Sequence, residues 1–197
     1  MPQGQTGPRT LVLASGSPRR LELLRQIGID PDLVDPPHID ETPRRAEAPQ
    51  AYAARMAREK LAAIAARHPG AWVLAADTVV ACGRRILPKA ETEAQARDCL
   101  KLLGGRRHRV LGGIALAAPD GRTAERVAIT SVAMKRLTEA EIAAYLASGD
   151  WHGKAGGYAI QGRAASFIPW INGSYSNVVG LSLSDVAGML AGLGWRA

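Results

Sequence analysis

The stretch WVLAADTVVAC, Trp72 to Cys82, constrains this 197-residue chain more than any other segment. Nine of its eleven residues are apolar, and a run of that length with no helical period predicts a central strand. Asp77-Thr78 interrupts it. An acid inside an apolar strand is costly to bury unless it is paired, binds a metal or transfers a proton, which makes Asp77 the first candidate for chemistry. The competing reading is a strand-end carboxylate hydrogen-bonded to backbone or to a nearby Arg.

The flanking segments supply layers to cover such a strand. Thr10 to Ala14 is a short apolar run closed by Ser15-Gly16-Ser17 and reads as a buried strand. Ser17 suits an N-cap and Pro18 a first helical position, so a helix follows, with Leu21, Leu24 and Ile27 at helical spacing until Gly28. A short strand is expected near Leu33-Val34, then an irregular loop rich in Pro and acids that carries Asp40 and Glu41. A long helix runs from Pro49 to about Arg67, with Tyr52, Met56, Leu61 and Ile64 on its apolar face.

Beyond the central strand, Thr92-x-x-Gln95 and Thr138-x-x-Glu141 are capping boxes that open helices to about Leu103 and Ala147. Strands are expected at His108 to Ala118 and Thr123 to Met134, joined at Pro119-Asp120-Gly121. Gly153 to Gly162 is too Gly-rich for a regular helix; Ser176 to Gly180 reads as a strand and Leu183 to Leu193 as the last helix. The alternation predicts an α/β fold with a mostly parallel or mixed sheet flanked by helices. No linker divides it, so residues 10–197 form one domain, with residues 1–9 as a disordered tail.

Charge bounds the partners. The chain has 25 basic and 18 acidic residues, net +7, and 20 of the 25 are Arg. A positive surplus draws nucleic acid, lipid headgroups or phosphorylated metabolites, although drift of a whole proteome toward Ala, Gly and Arg gives the same total. Aromatics are only 5% of residues and no basic run occurs, which disfavours nucleic acid as the partner. No apolar run approaches the roughly eighteen residues that span a bilayer, and Met1 to Arg9 has no apolar signal core. Cys82 and Cys99 form no C-x-x-C pair, which favours a reducing compartment and a cytoplasmic protein. His38, His68, His108 and His152 show no zinc spacing, and no G-x-S-x-G elbow is present.

Three candidate features remain. Ser15-Gly16-Ser17-Pro18-Arg19-Arg20 joins a strand to a helix start, where unpaired N–H groups and two arginines suit a phosphate. Lys60, Lys89 and Lys154 are worth placing because lysine is rare here; each taken singly reads as surface charge, and Gly153-Lys154-Ala155 lacks the hydroxyl of a P-loop. Asp40, Glu41 and Asp77 could jointly hold a hard divalent ion.

These motifs, in order, resemble the Maf (septum formation) nucleotide pyrophosphatases over Leu11 to Leu183. The resemblance rests on Leu13-Ala14-Ser15-Gly16-Ser17-Pro18-Arg19-Arg20, Asp40-Glu41, Arg58-Glu59-Lys60, Ala76-Asp77-Thr78-Val79-Val80, Lys89, Lys154-Ala155-Gly156-Gly157-Tyr158-Ala159-Ile160-Gln161-Gly162, and Ile171-Asn172-Gly173-Ser174 through Leu181. It implies an elongated α/β fold with an active cleft between two lobes, similar to inosine triphosphate pyrophosphatases, and often a homodimer. It also implies a cytoplasmic, Mg²⁺- or Mn²⁺-dependent enzyme that cleaves a nucleoside triphosphate to monophosphate and pyrophosphate. Asp77 would then be the general base, with Glu41 and Asp77 at the metal. Ser15, Arg19, Arg20, Lys60, Lys89 and Lys154 would hold the triphosphate. Arg19, Thr78 and Gln161 match the dTTP/UTP branch rather than the 7-methyl-GTP branch, while Gly153 stands where the family usually has Asp. A non-catalytic nucleotide-binding regulator of septation is the alternative.

Overall fold

The computed structural model describes residues 10–196, so the tail expected over residues 1–9 lies outside the described residues. A mixed sheet forms the centre. β1 (Leu11–Ala14) pairs in parallel with β2 (Leu33–Val34) on one side and with β3 (Trp72–Cys82) on the other. Beyond β3 the neighbours are antiparallel: β4 (Arg85–Leu87) returns along the end of β3, and β6 (Arg107–Ala117), β7 (Thr123–Ala133) and β9 (Trp170–Asn172) complete the order β2-β1-β3-β6-β7-β9. A separate two-stranded ribbon joins β5 (Lys89–Ala90) to β8 (Lys154–Ala155).

β1 accompanies β3 only as far as Ala14 opposite Ala75, and β4 joins that same edge of β3 at Val80 opposite Leu87. Among the described residues no strand therefore lies beside residues 76–79 on that edge. This gap lies past the carboxyl end of a parallel strand, the place where open α/β sheets commonly bind ligands. Asp77 and Thr78 sit in the gap and point to opposite faces.

Two adjacent glycines let helices come close at this level. In the antiparallel register Asp77 faces Gly113 and Thr78 faces Gly112. A Cβ on Gly113 would fall 2.0 Å from the carbonyl oxygen of Ala53, so any side chain there would lift α2 (Pro49–Ala65) off the sheet. On the opposite face a Cβ on Gly112 would meet Asn177 Oδ1 at 2.0 Å. Asn177 belongs to α5 (Tyr175–Val179) and donates to the carbonyl of Val110 at 3.1 Å and to Thr130 Oγ1 at 3.1 Å, fastening that helix to β6 and β7.

The remaining helices cover the sheet. α3 (Glu93–Leu103) and α4 (Glu139–Ala147) start at the two capping boxes expected from Thr92 and Thr138, and α6 (Leu183–Leu193) closes the chain. Two expectations need correction. The segment Ser176 to Gly180 lies within and just after α5, because the Ser174 hydroxyl accepts the N–H of Asn177 and nucleates a short helix in place of a strand. α1 (Pro18–Gln26) buries Arg20, Leu23 and Leu24, while Ile27, expected on its apolar stripe, caps the helix and is exposed. The helix is rotated toward Arg20 because that guanidinium finds its partners inside the protein.

Candidate active site

A cleft of about 550 Å³ opens at the gap in β3. Of the candidate residues, Ser15, Arg19, Arg20, Glu41, Lys60, Asp77, Thr78, Lys89 and Lys154 all line it. Residues 58 to 160 positions apart in sequence thus meet at one place, as the Arg20 contacts to Thr78 and Gly180 show. Gln161 is exposed and is not part of the lining.

The cations divide by what holds them. Arg20, only 8% exposed, spends its guanidinium on the protein: Nε donates to the carbonyl of Gly180 at 2.9 Å, Nη1 to Ser15 Oγ at 2.8 Å and Nη2 to Thr78 Oγ1 at 2.9 Å. It ties the β1–α1 loop, β3 and the end of α5 together. Burial lowers its pKa, an effect opposed by the charge of Asp77.

Lys60 is equally committed. Its ammonium is 5% exposed, not the surface charge expected of an isolated lysine, and its Nζ lies 2.6 Å from Asp77 Oδ1 and 2.7 Å from Glu41 Oε1. Lys89 holds the other Glu41 oxygen at 2.5 Å. Burial raises the Glu41 pKa, but the hydrogen bonds from Lys60 and Lys89 outweigh it and bring the carboxyl down to about 2. Asp77 is 3% exposed, and its Oδ2 accepts no hydrogen bond among the described residues.

Arg19 and Lys154 differ. Among the described residues Arg19 makes no side-chain hydrogen bond or ion pair, and Lys154 donates only to the carbonyl of His152 at 3.0 Å. Burial lowers the pKa of both, and the nearby positive charge of Arg19 lowers Lys154 further. Glu22 and Asp150 offset these shifts in part from a distance, but among the described residues neither cation forms an ion pair, and two half-buried like charges so placed are set to receive an anion. The start of α1 adds to this attraction, because the first backbone N–H groups of a helix lack intrahelical acceptors.

The same cleft has an apolar side, Pro36, Val80, Val110, Tyr158, Val178 and Val179; four of the six lie within the family motifs, which gave them no role, and Pro36 and Val110 lie outside them. Tyr158 is backed by buried His108, whose Nε2 lies 2.7 Å from its hydroxyl, and burial pushes the His108 pKa down to about 4.

The donor set for a metal is smaller than expected. Asp40 is exposed, bonds the Thr42 N–H at 2.9 Å and does not line the cleft, and no group of three or more His, Cys, Asp or Glu side chains suited to a metal occurs among the described residues. Glu41 and Asp77 remain, both touching Lys60. Two carboxylates completed by phosphate oxygens fit the way Mg²⁺ is usually bound, since that ion seldom uses an all-protein cage.

Comparison with known proteins agrees with this geometry. The model of the Maf-like protein family matches residues 10–193. A dTTP/UTP pyrophosphatase of Paramagnetospirillum magneticum is 67% identical over 94% of this chain and 97% of that protein. Proteins of the same name from Rhodospirillum rubrum and Caulobacter vibrioides are each 61% identical, covering 97% and 96% of this chain and 90% and 98% of theirs. Among solved structures, a HAM1 protein from Coxiella burnetii superposes with a TM-score of 0.51 at 15% identity, over 93% of this chain and 99% of that one, which shows a shared fold. With the motifs assembled around one cleft and the family model spanning nearly every described residue, the chain belongs to the Maf family.

Proposed function

We propose that this protein is a nucleoside triphosphate pyrophosphatase that hydrolyses dTTP and UTP to the monophosphate and pyrophosphate. One observation carries the reading: among the described residues a buried carboxylate with an oxygen that accepts no hydrogen bond, Asp77, shares a cleft with two cations that form no ion pair, Arg19 and Lys154. The names of the relatives supply the substrate class.

In this mechanism Arg19, Lys154 and the α1 N-terminus bind the triphosphate. Lys60 occupies Asp77 Oδ1 and so presents Oδ2 to a water molecule. Asp77 accepts the water proton as its oxygen bonds to the α-phosphorus; the α–β bridging oxygen leaves with pyrophosphate. Lys89 can shift from Glu41 toward the leaving phosphates and offset their charge. Arg20 keeps Ser15 and Thr78 in place rather than gripping phosphate itself. A divalent cation, Mg²⁺ or Mn²⁺, would be held by Asp77 and Glu41 and would neutralise charge on the triphosphate.

We also read the protein as cytoplasmic, as one two-lobed domain and as a homodimer. No helix among the described residues is long and apolar enough to cross a membrane.

The test is product identity. With Mg²⁺ and dTTP or UTP, ³¹P NMR should show pyrophosphate and the monophosphate as first products, and orthophosphate appearing first would overturn the reaction. Asp77→Asn should lose roughly 10²- to 10⁴-fold in turnover while nucleotide still binds. Initial rates on CTP, ITP and 7-methyl-GTP beside dTTP and UTP test the substrate class.

A further inference from the structure

Helix α2 lines the cleft through Lys60 alone, but it carries two neighbouring stripes of side chains beside it. Tyr52, Met56 and Lys60 follow one another at four-residue spacing on the buried side, and Arg55 and Glu59 form the next stripe toward solvent. Lys60 reaches the carboxylates directly. The other residues grip the irregular loop that brings Glu41 to the site.

That grip is continuous along the loop. The Tyr52 hydroxyl donates to the main-chain carbonyl of Glu41 at 2.6 Å, and Arg55 Nη2 donates to the carbonyl of the next residue, Thr42, at 3.1 Å. Arg55 also holds Glu47 with both arms of its fork, Nε to Oε1 at 2.7 Å and Nη2 to Oε2 at 2.8 Å. Glu47 in turn accepts the N–H of Arg44 at 2.9 Å, and Glu59 receives Arg55 and Arg44.

Exposed ion pairs usually contribute little. The Arg55 and Glu47 side chains, however, are only 12% and 10% exposed, and the pairing is bidentate. Hydrogen bonding to Arg55 brings the Glu47 carboxyl down to about 2. Ala46, next to Glu47, has φ of 58°, a conformation that a non-glycine residue keeps only where its surroundings impose it.

We propose that Tyr52 and Arg55 are positioning residues for Glu41: by clasping the backbone of its loop to α2, they hold the Glu41 carboxylate between Lys60 and Lys89. The inference rests on the reading of the cleft given above, because Glu41 matters there through its place beside Asp77. It adds that the register between the loop and α2 is set by groups that never touch substrate. α2 acts as a common ruler, placing Lys60 by its own side chain and Glu41 through the clasp.

The experiment compares wild type with Tyr52→Phe, Arg55→Met and Arg55→Lys. Arg44 and Arg45 are exposed trypsin sites within the clasped loop. Limited trypsin cleavage there should run about tenfold faster in Arg55→Met, with Arg55→Lys in between. The Mg²⁺ concentration giving half-maximal pyrophosphate release from dTTP should rise about tenfold in Arg55→Met, and less in Tyr52→Phe, as expected when an outer support of a ligand is removed. KM for dTTP at saturating Mg²⁺ should stay within about twofold.

Unchanged cleavage and unchanged Mg²⁺ dependence would overturn the clasp. So would activity losses that merely follow a falling Tm across the three variants. If Arg55→Met fails to fold, Tyr52→Phe, which loses a single oxygen, decides the question. Absence of pyrophosphate release from the wild type would remove the functional reading, and the cleavage rates would still test the clasp.

Discussion

The two walls of the cleft handle charge in opposite ways. On the α2 wall Lys60, Lys89, Asp77 and Glu41 are bonded to one another and their charges cancel. On the wall formed by α1 and β8, Arg19 and Lys154 line the cleft without an ion pair among the described residues, and Arg20 hydrogen-bonds to neutral oxygens. The first wall is complete before any ligand arrives, with one oxygen of Asp77 left over. The second is electrostatically unfinished. A count of cations treats these walls alike; in the mechanism proposed above the second wall binds the triphosphate, and the first orders the groups that act on it, with Lys89 shifting to the leaving phosphates.

The largest effect should come from breaking the paired wall. Lys60→Met leaves two neighbouring carboxylates, one of them buried, without their shared cation. Loss of one partner from a buried pair typically costs about 3–5 kcal/mol; Glu41 is partly exposed and can rehydrate, so about 3 kcal/mol is expected in urea unfolding, with turnover falling at least about 100-fold. If stability is unchanged, the two walls do not differ in the way described.

The open wall should respond in affinity rather than in stability. A charge-assisted hydrogen bond contributes about 1.5–3 kcal/mol, so Arg19→Ala and Lys154→Ala should each raise KM roughly 10- to 100-fold and lower kcat less. Their unfolding curves should match wild type or lie slightly above it, since each removes one of two like charges. A measurable loss of stability in either variant would mean that the residue is held by an anionic partner within the fold, beyond the His152 carbonyl that Lys154 already contacts.

This division of labour is what the sequence withholds. β3 from Trp72 to Cys82, the caps at Thr92 and Thr138 and the helix from Leu183 to Leu193 are legible because their signals lie within one turn or one strand. The membership of the cleft is legible too, through ordered motifs. The bonding state of each cation is not. Lys60 reads as surface charge until the helix carrying it crosses Gly113 and meets Asp77, and Arg20 reads as a phosphate ligand until Gly180, 160 residues on, accepts its Nε. α5 was obscured for a different reason: its valines suit a strand, and its single strong helical signal is one serine cap. The β5–β8 ribbon, two residues a side, is too short for any periodicity.

Titration should separate the walls with a smaller effect. The Glu41 pKa is depressed to about 2 from an ordinary value of 4.5, so its contribution to stability is fully present above pH 4.5 and is lost as pH falls through about 2. Lys154 is also depressed, but it is a cation. Between its native and its ordinary pKa the unfolded chain holds more protons, and stability rises with pH as the native ammonium is discharged. Phosphate affinity should fall over that same alkaline range. Carboxyl NMR of Glu41 checks the first limb; KM and urea unfolding measured together on wild type and Lys154→Ala check the second. A fall in stability accompanying the rise in KM at alkaline pH would contradict this reading of Lys154.

The smallest effect is expected at Gln161, which belongs to neither wall. The family resemblance gives it a part in base choice, yet it is exposed, and of residues 156–162 only Tyr158 lines the cleft. Gly156 and Gly157 both adopt positive φ, at 69° and 68°, and lead into this segment, so its path is set by backbone that few other residues could follow. An exposed amide that reaches a base only at the rim competes with water for the same hydrogen bond, and the net gain from a neutral hydrogen bond is about 1 kcal/mol. Gln161→Ala should therefore change the ratio of kcat/KM for UTP over CTP by roughly fivefold at most and leave kcat for UTP untouched. A change of a hundredfold would show instead that the segment from Gly156 to Gly162 folds over the bound nucleotide and forms a third wall. In that event Tyr158→Phe, which keeps the ring but frees His108, should reduce the same ratio, because the closing segment would pivot on the buried pair.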